Sequence, residues 1–254
     1  MEPALIMPEI LIHNMTMNIS EIKVKIYNQF DVEALGFKVV DGKLNAGDFI
    51  LLRERNEITG KIFFSIDYRN DLSVNWGYSF YYSIFVPRVN AILVDLFPKN
   101  EIGDVEGVDE LENTLFMPPH DFQLIRQLLD APASIQNFIE EGKYYEDRFV
   151  QTCRIRKEII ERFALPFFDR NTTLKFINDE IIDKTPLEKM NEIIPGETVF
   201  KIIIIMRLCG NNRYDEFVTK YKNRIVNAIQ SGATKYESYY QKLEKLLEYL
   251  NKIS

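Results

Sequence analysis

Residues 49–86, FILLRERNEITGKIFFSIDYRNDLSVNWGYSFYYSIFV, decide the fold class. Ile62, Phe64, Ile66 and Tyr68 alternate with Phe63, Ser65, Asp67 and Arg69. Further on, Tyr78, Phe80, Tyr82, Ile84 and Val86 alternate with Ser79, Tyr81, Ser83 and Phe85. A two-residue period puts successive side chains on opposite faces of an extended chain. The runs at 49–55 and 61–69 flank Asn56-Glu57-Ile58-Thr59-Gly60, which reads as a hairpin loop. Period two in consecutive runs, with turn residues between them, predicts an antiparallel, meander-like sheet.

Outward from this stretch the period becomes helical. Ser20 and Glu21 form a start signal, Ile22, Ile26, Phe30 and Ala34 follow at helical spacing, and Gly36 closes the segment. Pro87 suits the first turn of a helix carrying Val89, Ile92, Leu93 and Leu96. Residues 101–112 hold Glu101, Asp104, Glu106, Asp109, Glu110 and Glu112 with no Lys or Arg, and Pro118-Pro119 ends that region.

Beyond Asp121 helical spacing runs to the end. A face of Phe122, Ile125, Leu128 and Leu129 precedes a long helix from Tyr145 through Phe163, stopped by Pro166. A short helix at 172–182 follows. Residues 197–209 and 214–229 form an αα-hairpin around Gly210-Asn211-Asn212, and 236–253 an amphipathic helix. The expected fold class is α+β: an antiparallel sheet with flanking helices followed by an all-helical C-terminal region. The expected parts are an N-terminal arm at 1–17, the sheet domain at 18–97, an acidic linker or insert at 98–120, and the helical region at 121–254.

Bulk properties narrow the function classes. The chain has 254 residues, 46% of them hydrophobic and 27% charged, the balance of a globular protein. Its net charge of −7 and pI near 5.1 argue against nucleic acid, which demands a cationic face, and favour a basic protein partner. Cys153 and Cys209 read as reduced thiols, which predicts a cytoplasmic setting. The N-terminal apolar stretch lacks a basic start and is broken by Pro8 and Glu9, so it does not read as a signal peptide. No apolar run approaches the ~20 residues of a membrane span.

Chemistry-bearing patterns are sparse. His13 and His120 are the only histidines, and neither stands at ligand spacing, so no metal and no cofactor is expected. Neither a nucleophile elbow nor a phosphate-binding glycine loop occurs, and no catalytic residue stands out. Two features suit binding instead. Glu106, Asp109 and Glu110 lie in the acidic stretch, which is either a solvated linker or a lure for a basic partner. On the sheet, strict alternation puts Phe49, Leu51, Arg53, Arg55, Phe63, Asp67, Arg69, Tyr81 and Phe85 on one face, with Trp76 in a connecting loop. Aromatics beside Arg and Asp make a recognition surface, unless the helical half covers them as core. The candidate binding residues are therefore Arg53, Asp67, Arg69, Trp76, Tyr81, Glu106, Asp109 and Glu110.

Several short elements carry a resemblance. Leu35-Gly36-Phe37-Lys38 leads from a helix into strands, Phe85-Val86-Pro87-Arg88-Val89 passes from strand to helix, and Ala164-Leu165-Pro166-Phe167-Phe168-Asp169 precedes a helical hairpin around Leu208-Cys209-Gly210-Asn211. This order resembles a bacterial family of uncharacterised domains that begin with an LGF-K helix and sheet and carry a P-F-F-D element in a helical tail. The acidic stretch at 101–112 is not part of that pattern. The resemblance implies an accessory or immunity-type protein and brings no catalytic residues with it. The leading expectation is a non-enzymatic protein-binding protein. The alternative is an enzyme of unrecognised type, with a carboxylate such as Asp67 near Arg69 and Tyr81 in a cleft between the sheet and helical parts. A structural role in a homo-oligomer through the final helix is a third reading.

Overall fold

The structure, a computed structural model, describes residues 19–41, 48–68, 74–76, 80–96, 113–130 and 137–253. In chain order the first elements are α1 (Ile19–Phe30), β1 (Lys38–Asp41), β2 (Asp48–Arg55), β3 (Ile58–Ser65), β4 (Asp67–Tyr68), β5 (Val74–Asn75), β6 (Phe80–Phe85) and α2 (Pro87–Leu96). Next come β7 (Leu115–Phe116), α3 (Pro119–Leu129), β8 (Asn137–Glu140), β9 (Lys143–Tyr144), α4 (Glu146–Ile159), the π-helix π1 (Ile160–Ala164) and α5 (Leu165–Arg170). The remainder is α6 (Leu174–Phe176), the π-helix π2 (Ile177–Ile182), α7 (Leu187–Met190), α8 (Thr198–Leu208), α9 (Tyr214–Gln230) and α10 (Tyr236–Lys252). The class is α+β, as the alternation predicts.

The strands form two sheets rather than one meander. One has the order β1-β2-β3-β6-β7 and the other β4-β5-β8-β9. The chain leaves the first sheet after Ser65, builds β4 and β5 in the second, and returns at Phe80. The β8–β9 hairpin lies in the region expected to be wholly helical. Its turn, Glu141-Gly142, has positive φ at both residues (50° and 79°), the backbone that a two-residue hairpin with correct strand twist requires. Strands of four and two residues are too short to show a period, which is why the helical reading ran over them.

Two compact units divide the chain. One draws on the described residues within 1–54, 60–82 and 117–169. Its core is aromatic. Helix α1 presents Ile22, Ile26 and Phe30 at helical spacing, all fully enclosed. Phe30 stacks on Trp76 at 5.6 Å, and Phe49 stacks on Phe64 at 4.9 Å. Helix α4 adds Phe149, which meets Phe138 of β8 edge-on at 5.4 Å. It also adds Arg156, whose guanidinium lies over the Trp76 ring at 4.5 Å and donates to the Trp76 carbonyl.

Pro166 was expected to stop the long helix, and it does not. Helix α4 runs through π1 into α5 without a break. A proline clashes with the carbonyl four residues back and lacks the N–H that would bond to it. The wider π turn shifts the backbone pairing to five residues, as in the bond from Leu165 N–H to Ile160 O, and so makes room for the ring.

The second unit comprises the described residues within 55–59, 83–116 and 170–254. Here Leu115–Phe116, placed by sequence in the acidic connection, form β7, which pairs with β6 in the register Ser83↔Phe116 and Ile84↔Leu115. Buried Ser83 donates to Asn113 Oδ1 at 2.7 Å, and the Val86 N–H donates to Thr114 Oγ1 at 3.0 Å. Around this edge packs a helical group centred on α8, in which every residue from Phe200 to Met206 is buried. Lys201 is among them, and its ammonium is satisfied by the carbonyls of Asn113, at 2.7 Å, and Pro195. Helices α2, α9 and α10 pack against α8.

Candidate functional site

Of the candidate binding residues, the structure describes Arg53, Asp67, Trp76 and Tyr81. Arg69, Glu106, Asp109 and Glu110 lie outside the described residues. Trp76 is 0% exposed, so its ring belongs to the aromatic core and cannot read a partner. Asp67 is exposed on β4 of the four-stranded sheet, and Tyr81 lies on β6 of the five-stranded one. Arg53 is drawn into an ion pair with Asp169 at 2.9 Å, which ties β2 to the end of α5.

The face assignment also slips along β2. Phe49 and Leu51 are buried with Phe64, while Phe63 and Tyr81 stack on the other side at 4.8 Å with ring planes 18° apart. The Phe63–Tyr81 pair is thus real. Phe49 and Leu51 were assigned to it because the two-residue turn at Asn56-Glu57 was read as a five-residue loop, an odd difference that inverts the face of one strand.

A different site emerges in the second unit: a groove of about 540 Å³ on the helical hairpin. Its floor is apolar, formed by Ile182, Met190, Ile202 and Met206, all buried. Phe217 and Tyr221 of α9 are half-buried along one side. The facing side is the turn after π2 and the start of α7, with Thr185, Pro186 and the exposed Leu187. Charged groups form the rim: Asp183, Lys184 and Glu188 from the turn and α7, with Arg213, Glu216, Lys220 and Arg224 from α9 and its first flank.

Local sequence explains why the walls hold. Thr173 caps α6, its hydroxyl accepting from the Phe176 N–H at 3.1 Å. The π2 turns then bring Asn178 and Asp183 towards the α8–α9 turn. There Asn211 Nδ2 donates to Asn178 Oδ1 at 2.8 Å and to Asp183 Oδ1 at 3.1 Å, while Asn211 Oδ1 accepts from the Arg213 N–H at 2.8 Å. Arg213 completes the clasp with Asp183 at 3.2 Å. Gly210, at φ +61°, lets the chain turn sharply enough to place Asn211.

Behind the groove, Tyr239 of α10 donates to Glu197 Oε2 at 3.1 Å, its ring 4.8 Å from that of Phe200. Burial raises the Tyr239 hydroxyl above the ordinary tyrosine range, and the Glu197 charge adds to the effect. Burial also raises Tyr221, its neighbour in this cluster. Both phenols are therefore neutral at physiological pH and act as hydrogen-bonding groups. The thiols are held back in the same way. Burial pushes Cys153 up to about 12 and Cys209 up to about 11, so neither is the thiolate that nucleophilic chemistry requires.

Among the described residues no three His, Cys, Asp or Glu side chains converge as a metal site, and no helix is long and apolar enough to cross a membrane. Comparisons of the chain with family models, curated proteins and solved structures find no match. The functional reading therefore rests on the side chains themselves. Sequence reasoning missed the groove because its lining comes from three neighbouring segments, within 182–190, 202–206 and 213–224, whose packing against one another no local period reports. The one local signal was the stripe Phe217, Lys220, Tyr221, Arg224, which alternates aromatic and basic residues on one face of a predicted helix.

Proposed function

We propose that this chain is a non-enzymatic protein-binding module, of the accessory or immunity-like kind, and that its partner docks in the groove lined by α7, α8 and α9. The observation that carries the reading is the composition of the groove: a buried apolar floor beneath a rim that bears charges of both signs. That arrangement fits recognition of a protein segment, with apolar anchors supplying affinity and rim charges setting register and specificity. The volume of about 540 Å³ accommodates a few large side chains and stays within the range of ordinary ligand clefts.

The test is native co-purification with mass spectrometry, run in parallel on the wild-type chain and on Phe217→Asp. A carboxylate over the apolar floor would desolvate badly and repel an anchor. The expected result is a partner retained by the wild-type chain and lost from the variant, with the helical circular dichroism of the two chains alike. Recovery of the same proteins by both chains, or of none by either, would remove the basis for docking at this groove.

A further inference from the structure

We infer that the groove takes an acidic peptide segment with apolar anchors, an inference that rests on the docking reading and names its partner's chemistry. The floor of Met190, Ile202 and Met206, flanked by Phe217, calls for an apolar side chain. The rim decides which charge accompanies it. Two of its cations are already engaged: Arg213 with Asp183 at 3.2 Å, and Lys184 with Glu180 at 2.7 Å. Lys220 and Arg224 are exposed and, among the described residues, neither holds a carboxylate in an ion pair.

These two cations stand four residues apart on the same side of α9 as Phe217 and Tyr221, so they follow the edge of the groove. Glu216 stands one turn before Lys220 on α9, and Glu188 lies on the facing wall. Along α9 the rim thus passes from mixed charge at its start to positive charge two turns on. A segment whose acidic residues follow its apolar anchor in that direction meets Lys220 and Arg224, and basic residues at that end meet repulsion. From Phe217 to Arg224 the edge runs about 10 Å at about 1.5 Å per residue, the length of two helical turns, which suits a peptide better than a compact metabolite. The chain's net charge of −7 opposes an acidic ligand at long range. The attraction is accordingly a contact effect, felt within the ~8 Å over which salt at physiological strength leaves charges unscreened.

The probe is a fluorescein-labelled synthetic helical peptide, with Leu at every third or fourth position and Glu between. Its counterpart has Lys in place of Glu, and both are titrated against the full chain by fluorescence anisotropy. The Glu peptide is expected to bind at least about tenfold more tightly than the Lys peptide, a difference of about 1.4 kcal/mol. Reversal of the two cations, Lys220→Glu with Arg224→Glu, is expected to invert that preference. Phe217→Asp is expected to abolish binding of the Glu peptide. A Lys peptide that binds the wild-type chain as well as the Glu peptide, or a charge-reversed variant with undiminished affinity for Glu, overturns the inference. If neither peptide binds while Phe217→Asp still strips a co-purified partner, the acidic-segment inference falls and the docking reading stands. If the Glu peptide binds as described and co-purification recovers no partner, the docking reading loses its protein partner while the groove keeps its charge preference.

Discussion

Gly60 shows how much one position can conceal. It sits inside β3, and a Cβ built there would lie 2.8–2.9 Å from ring atoms of Phe168. The glycine is there so that the Phe168 ring of α5 can lie flat against the strand, a close approach that any side chain would block. We predict that Gly60→Ala destabilises the fold by about 1–3 kcal/mol, the usual cost of overpacking a filled site. The loss should read as a lower urea midpoint at unchanged slope, and Phe168→Leu in the same chain should recover part of it. A Gly60→Ala chain as stable as wild type would mean that the ring has room to move. The sequence offers Gly60 only as a turn residue after Asn56, since turn and close contact both favour glycine. Trp76 misleads in the same manner: a lone tryptophan between glycine- and asparagine-rich residues looks exposed, yet it is enclosed by Phe30, Phe49 and Phe64.

Among the elements, legibility follows amphipathicity. Helices α1 and α10 each turn one apolar stripe inward, so their period is visible; the bounds of α10 are nearly those expected, whereas α1 ends at Phe30, short of the expected Ala34 and Gly36, because Asp31 takes a positive φ of 53°. Helix α8 is buried on all sides and shows no stripe; its turn residues, Gly210 and Asn211, were what marked it as half of a hairpin. The π segments left no trace in the period, because one extra residue per turn only looks like noise over five or six residues. Yet π2 and Asn211 together fix the groove. We predict that Asn211→Ala, which deletes the bonds to Asn178 and Asp183 and leaves buried Asn178 short of a partner, costs about 1–2 kcal/mol. Because the clasp lies at one end of the groove, hydrogen exchange should quicken at residues 183–190 while the amides of α1, in the other unit, keep their protection. Uniform loss of protection across the chain would show that Asn211 supports global stability and not the groove wall in particular.

For the whole molecule, buried acids that ionise only at high pH set a common direction for its response to alkali. Burial is the largest cause raising Tyr144, Tyr214, Tyr221 and Tyr239 above the ordinary value of 10.0. It likewise lifts Cys153 to about 12 and Cys209 to about 11, from 9.0. In the unfolded chain these groups lose their protons from pH 9 or 10 upward, whereas in the folded chain they retain them. The native state therefore binds more protons than the unfolded state in that range, and stability must fall as pH rises. Below pH 9 both states are protonated at these groups, and they contribute no slope. Arg156 works the other way, since burial brings its guanidinium down to about 9 from 12.5 and the folded state sheds that proton first. One such group stands against six of opposite sign, so the net effect is a decline. We predict that the thermal midpoint holds level through neutral pH and drops progressively above pH 9 to 10. Tyrosinate absorbance should rise with unfolding and not before it for the buried phenols. Tyr239→Phe separates the contributions: it forfeits the bond to Glu197 and lowers the midpoint at pH 7, but its decline above pH 10 should be shallower than that of wild type. A decline of equal steepness in the variant would place the alkaline response in other groups, with Tyr239 contributing only its hydrogen bond.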